Sequence, residues 1–182
     1  MKDAVVGIDI GGTFTKFGVI DRIGNVLVEG SVATDQTDDI NVYLAGLGDA
    51  IDKAVNGLGD AISIKGIGIG APNGNYKSGS IEFAPNLKWA NNKVIKLVEL
   101  LQKRYPMPIA VTNDANAAAI GEMVFGAAKN VKDFILITLG TGLGSGIVVN
   151  GDLVYGHDGF AGEVGHVRAL DNGRVCGCGR RG

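Results

Sequence analysis

Asp114 sits in the run Thr112-Asn113-Asp114-Ala115-Asn116, where a short apolar stretch gives way to an alanine-rich one. A carboxylate at such a junction has two uses. It can cap the helix, because Asn and Asp side chains accept hydrogen bonds from first-turn N–H groups. Only one residue can occupy the cap, however. The second side chain of the pair is then left to face the open end of the sheet, where α/β proteins bind ligands. Asp114 is therefore a candidate general base.

Two glycine turns offer a second kind of chemistry. Gly11-Gly12-Thr13 and Gly140-Thr141-Gly142 each separate two apolar runs. Consecutive N–H groups in such a turn form a concavity that suits phosphate, and the threonine hydroxyl adds a donor. Neither is a Walker A loop, since no Gly-Lys-Ser/Thr follows and the next element reads as strand. Asp9, just before the first turn, is a turn residue or a carboxylate near a phosphate-bound Mg2+, often through water. Glu163 and His166 lie three apart among glycines, so a turn or short helix would put them on one face. That pair suits sugar hydroxyls, a metal, or plain solvent. His166 with Cys176 and Cys178 supplies three zinc-type donors, where a closed structural site takes four.

The elements that position these groups follow from hydrophobic periodicity. Residues 4–10, 15–21 and 26–33 read as three strands joined by short turns. Ile40, Leu44, Leu47, Ile51, Val55 and Leu58 mark one face of a helix over 38–58. A strand over 64–71, a Gly/Asn/Ser-rich loop over 72–92 and a helix marked by Val94, Leu97, Leu101 and Tyr105 come next. Pro106 and Pro108 close that helix. A strand over 109–112, a helix over 115–129 and strands over 134–139, 146–149 and 153–155 complete the order βββ-α-β-α-β-α-βββ. This predicts a mixed α/β sheet flanked by helices. The pattern restarts near 133, where Gly140, Thr141 and Gly146 repeat Gly12, Thr13 and Gly18 at a constant offset.

Bulk composition narrows the function classes. The 182 residues suit one large or two small domains at roughly 100–200 residues each. Thirty glycines without a three-residue period, beside only 4 prolines, exclude collagen and low-complexity disorder. A formal net charge of −2 gives no electrostatic case for nucleic acid or an acidic membrane surface. Neither a signal segment nor an apolar run of roughly 18 residues is visible. Two cysteines, two apart, make a poor disulfide framework and point to a reduced, cytoplasmic protein.

Together "DIGGTFTKFG", "TNDANAAAIGE", "TLGTGLGSGI" and "GFAGEVGHV" with "CGCGRRG", in this order, resemble the ROK family (repressor, open reading frame, kinase) over residues 4–182. The resemblance implies an actin-like ATPase fold, also called ribonuclease-H-like, with a first lobe at 1–110 and the start of a second at 111–182. It implies a hexose kinase using ATP and Mg2+, glucose being the leading substrate. Mannose, fructose, N-acetylated hexosamines and a polyphosphate donor stay open. By the same resemblance, Asp114 is the base for the sugar 6-hydroxyl, and Asn113 and Glu163 hold sugar hydroxyls. His166 touches the sugar and ligates Zn2+ beside Cys176 and Cys178. Gly11, Gly12, Thr13, Thr141 and Gly142 line the phosphates, and Asp9 helps place Mg2+. Asn73 and Asn86 are a looser match to the sugar loop, and Phe14 stands where many members carry Asn.

Partners implied are a sugar and a nucleotide, with homodimers common in the family. Members also continue past the "CGCGRRG" segment, to a further zinc cysteine, a sugar-binding glutamate and the adenine pocket. The expectation is thus that this chain alone holds zinc poorly and lacks useful kinase activity. The alternative is a non-catalytic sugar-binding or regulatory ROK protein. Only three residues precede the first strand, so no DNA-reading element is expected here.

Overall fold

The computed structural model describes residues 1–140, 142–176 and 178–182, in two compact units, Met1–Asp114 and Ala115–Gly182. The sequence reading placed this division at 110/111.

The first unit is built on β1 (Lys2–Ile10), β2 (Phe14–Asp21) and β3 (Val26–Ala33), an antiparallel meander. Strict alternation in β1 puts Ala4, Val6, Ile8 and Ile10 into the core. The amphipathic helix α1 (Ile40–Asn56) contributes Tyr43, Leu47 and Ile51 to that core. Its cap is Asp39, whose side chain accepts the Asn41 N–H at 2.8 Å. The chain returns as β4 (Ile62–Gly70), parallel to β1.

The segment expected to be an irregular loop folds into a small sheet. β5 (Gly74–Asn75) pairs with β6 (Ser80–Glu82), and β6 pairs with β7 (Val94–Ile95). Buried Asn75 holds the hairpin through its side-chain oxygen, which accepts the Lys77 N–H at 3.0 Å. Beyond it, Trp89 stacks on Tyr43 with centroids 5.0 Å apart. Pairing of Val94 and Ile95 into β7 shortens the expected second helix, and α2 runs only Leu97–Gln102.

Tyr105 lies outside that helix because it precedes Pro106, whose ring disfavours helical backbone in the residue before it. Its hydroxyl instead donates to the Gly48 carbonyl at 3.1 Å and to Asp52 at 2.8 Å. Arg104 joins the clamp with ion pairs to Asp49 and Asp52. Gly48 makes room for it, since a Cβ there would overlap the guanidinium.

β8 (Ile109–Thr112) completes the sheet order β3-β2-β1-β4-β8 by parallel pairing with β4. Register defines what lies on the face opposite the core. One row is Gly18, Gly7, Gly68 and Ala110; the next is Lys16, Asp9, Gly70 and Thr112. The first row has almost no side chains. The second carries the charged and hydroxyl groups.

The helix α3 (Asp114–Phe125) follows β8 directly. It ends short of the expected 129, where the Glu122 carboxylate accepts the Ala127 N–H at 2.7 Å. In the second unit β9 (Phe134–Leu139), β10 (Leu143–Val149) and β11 (Asp152–Leu153) form another antiparallel meander, with order β11-β10-β9. Gly144 and Gly146 let α3 approach closely, because a Cβ at either would crowd Ala115 or Ala119. Among the described residues no helix is long and apolar enough to cross a membrane.

Candidate functional site

The sheet topology of the first unit brings Asp9 and Asp114 together although 105 positions separate them in sequence. Asp9 points out of the sheet near the carboxyl end of β1, and Asp114 is the first helical residue after β8. Asn113 is the residue just before the helix. The Asp9 pKa is raised, first by partial desolvation, then by the negative charge of Asp114; Lys16 pulls it partly back. Two carboxylates that feel each other at the open end of a sheet can share a cation or divide acid and base work.

The first glycine turn lies next to this pair. The Gly11 N–H donates inward to the Phe14 carbonyl at 3.0 Å, closing the turn. The Gly11 N–H is thereby engaged inside the turn. A Cβ on Gly12 would sit 3.2 Å from the Asn86 carbonyl oxygen, so glycine is needed there for close packing as well. That contact sets exposed Asn86 beside the turn.

Asn73 adopts a left-handed backbone (φ 53°), and its side-chain amide donates to the carbonyls of Glu82 at 2.9 Å and Phe83 at 3.3 Å. The loop itself thus engages the Asn73 NH2 group, so a sugar role would use its Oδ1. Gly74 follows, and a Cβ there would overlap the Thr112 carbonyl. This close approach holds β5 against the end of β8, beside Asn113.

Two residues of this site were missed in the sequence. Lys16 is the register partner of Asp9 in β2. Thr112 is buried, and its hydroxyl has no hydrogen-bond partner among the described residues. Lys16 stands at a polar-out position of an alternating strand, which was the available signal. Thr112 looked like an ordinary strand residue.

The second unit holds the other candidates. The Gly140 N–H donates to the Gly142 carbonyl at 3.0 Å, and Thr141 lies outside the described residues. Glu163 precedes and His166 ends a single 3-10 turn (Val164–His166), with Glu163 Oε2 3.9 Å from His166 Nε2. That turn is fixed to β10. Ser145 Oγ donates to the Gly162 carbonyl, and Gly165 lies where a Cβ would overlap the Leu143 carbonyl.

Donor atoms of His166, Cys176 and Cys178 lie within 4.8 Å of one another, with Cys176 Sγ 3.6 Å from His166 Nδ1. The Cys178 thiol is lowered to about 7, chiefly by the backbone hydrogen bond from Arg180, then by Cys176 and His166. A thiol that ionises near neutrality beside an imidazole and a second thiol fits a zinc-type donor set.

Residues 5–182 match the ROK family. The chain belongs to the ROK family. It is 43% identical over 178 residues to the glucokinase of Streptomyces coelicolor, covering 97% of this chain and 53% of that protein. It is also 37% identical over 181 residues to the xylose repressor of Caldicellulosiruptor bescii, covering 98% and 45%. Among solved structures, the ROK family glucokinase of Streptomyces griseus in complex with glucose and AMPPNP aligns with a TM-score of 0.77 at 40% identity. That alignment covers 98% of this chain and 55% of the other.

The chain therefore has the mixed α/β, actin-like fold of ROK sugar kinases and spans about half the length of these relatives. ROK members include kinases and repressors, so the family fixes the scaffold and leaves the activity to the site.

Proposed function

We propose that this chain carries the catalytic base and part of the donor and sugar sites of a ROK hexose kinase, glucose being the preferred acceptor. The observation that carries the reading is the Asp9–Asp114 pair at the carboxyl end of a parallel strand set, beside a Gly-Gly-Thr turn. A regulator that only senses sugar has no need of two mutually repelling carboxylates there.

In the proposed reaction Asp114 accepts the proton of the sugar 6-hydroxyl as that oxygen attacks the γ-phosphorus of ATP. The bond to the β-phosphate bridging oxygen breaks, and ADP leaves. A positioned base contributes on the order of 10²–10⁴ in rate, and positioning with charge neutralisation supplies most of the rest. Asp9 would hold Mg2+, which supplies charge neutralisation when bound. Gly12 and Thr13 in the first unit, and Thr141 and Gly142 in the second, are assigned to phosphate. Asn73, Asn86 and Asn113, with Glu163 and His166, are assigned to sugar hydroxyls. His166, Cys176 and Cys178 would hold a structural Zn2+, which when bound would tie the segment of Cys176 and Cys178 to the 3-10 turn. A cytoplasmic location goes with this reading.

Because the chain spans half of its relatives, the test is a chimera in which it replaces the matched part of the Streptomyces coelicolor glucokinase. ATP-dependent phosphorylation is then measured across glucose, mannose, fructose and N-acetylated hexosamines. Turnover with glucose highest supports the reading, and turnover highest with another hexose moves the substrate but keeps the kinase. Sugar binding without phosphorylation of any hexose favours the second reading, a non-catalytic sugar-sensing ROK protein, which similarity to the xylose repressor keeps in view.

A further inference from the structure

A chain of buried polar contacts crosses the core of the first unit. Thr15 Oγ1, on the inner face of β2, lies 2.8 Å from Thr34 Oγ1 and 2.7 Å from the Tyr43 hydroxyl. Thr15, Thr34 and Tyr43 are all buried. Apolar side chains of similar shape would fill this space without desolvating a hydroxyl, so packing alone does not account for the set. What the two ends of the chain hold does.

At one end is the glycine turn. The Thr34 N–H donates to the Thr13 carbonyl at 2.8 Å, and Thr13 is assigned above to phosphate. At the other end is the loop that carries Asn86. The Tyr43 ring stacks on Trp89 with centroids 5.0 Å apart and 22° between planes. The buried indole N–H of Trp89 has no hydrogen-bond partner among the described residues, so stacking orients that ring. Two successive turns carry its position back to Asn86: Leu87 N–H to the Ala84 carbonyl at 3.2 Å, and Ala90 N–H to the Leu87 carbonyl at 2.9 Å. Two outer contacts join the same segments. Lys88 Nζ donates to the Asp35 carbonyl at 2.7 Å, and a Cβ on Gly12 would crowd the Asn86 carbonyl.

We propose that Tyr43 is a positioning residue that couples donor to acceptor binding. Its hydroxyl reaches the Gly11-Gly12-Thr13 turn through Thr15 and Thr34, and its ring reaches Asn86 through Trp89. This rests on the kinase reading and goes beyond it in joining the phosphate turn to the sugar loop. A phosphate that fixes Thr13 favours the arrangement that places Asn86, and a sugar on Asn86 favours the turn by the same factor, because such coupling is reciprocal.

The test is calorimetric titration of this chain with glucose in magnesium buffer, without and with saturating AMPPNP, a non-hydrolysable ATP analogue. In the parent, AMPPNP should raise glucose affinity by at least about fivefold, the low end of typical coupling. Tyr43→Phe keeps the stack on Trp89 and leaves Thr15 and Thr34 paired with each other. It should lower that enhancement by about fivefold, as expected for one buried hydrogen bond, while each ligand alone binds nearly as in the parent. Thr34→Val cuts the chain from the turn side and should match it. The double variant should lose no more than either single one, since both break one network. Trp89 is the only tryptophan, so its emission follows the loop directly. AMPPNP alone should change that emission in the parent and leave it unchanged in Tyr43→Phe.

An enhancement equal in parent and Tyr43→Phe overturns the role of Tyr43 and leaves the kinase reading intact. So does a Tyr43→Phe chain that melts lower and binds both ligands more weakly with the enhancement kept, which is how a merely structural residue behaves. A parent that binds both ligands without enhancement overturns the coupling itself. A parent that binds neither at millimolar concentration counts against the donor and acceptor sites, and this proposal falls with them.

Discussion

The two meanders of this protein share a plan and differ in what they show to solvent. β1 and β9 each run into a glycine turn whose first glycine N–H bonds back within the turn. At the offset that aligns Gly12 with Gly140, the outward positions Gly7, Asp9 and Gly11 correspond to Ile135, Ile137 and Leu139. The first set is small or charged, whereas the second is apolar and exposed, Leu139 at 83%. β1 is paired on both sides, and β9 only by β10 among the described residues. Repetition of a backbone therefore did not repeat its chemistry. Asp9, the acid proposed to hold Mg2+, is matched by an isoleucine in the second copy.

The largest expected effect on stability comes from a glycine that the first unit needs for close approach. Gly74→Ala drives a Cβ into the Thr112 carbonyl and should destabilise by about 1–3 kcal/mol. Gly68→Ala, on the open outer row with nothing within 4 Å, should stay within about 0.5 kcal/mol. Urea unfolding of the two variants measures the contrast. Equal effects would mean that β5 does not pack on β8 as described. In the second unit Gly146→Ala should resemble Gly74→Ala, because its Cβ meets Ala119 on α3.

A smaller effect sharpens the Asp9/Ile137 comparison through pH. The folded pKa of Asp9 lies above its ordinary value of about 3.8, so the folded state holds its proton more tightly than the unfolded chain. Its ionisation therefore weakens the fold as pH rises from 3.8 through the folded value, and the penalty persists above it. Asp9→Asn should melt higher than the parent at neutral pH, with the gap closing at acid pH. A gap that widens on acidification would contradict the desolvated, Asp114-facing placement. Smallest of all, Ile137→Asp should alter stability by about 0.5 kcal/mol or less in denaturant melts, as the side chain is already 44% exposed.

Much of the scaffold was legible because β1, β2, β3 and β9 are long enough for a period of two to appear between glycine turns. β5, β6 and β7 have two or three residues each, too short to show a period, and buried polar groups such as Asn75 and Ser80 help hold them. Val94, Leu97 and Leu101 carry helical spacing, yet Val94 belongs to a strand, because pairing with Glu82 outweighs a weak local preference. The candidate site divides the same way. Asp9, Asp114 and the glycine turns could be named from residue type and junction, but the closeness of Asp9 to Asp114 depends on parallel pairing of β1, β4 and β8. Lys16 emerged only with the β1–β2 register. The donor set of His166, Cys176 and Cys178 was visible as spacing, while its 4.8 Å clustering required the fold.

The central claim is that Asp114 is a base at the open end of the first sheet and more than a residue of the first helical turn. Glucose phosphorylation by the Streptomyces coelicolor chimera carrying Asp114→Asn tests it most directly, with glucose affinity measured alongside. The account predicts a loss in kcat of about 10²–10⁴ with affinity little changed. Turnover retained within about fivefold, with only the melting temperature lowered, would reduce Asp114 to a helix-end residue and contradict the account.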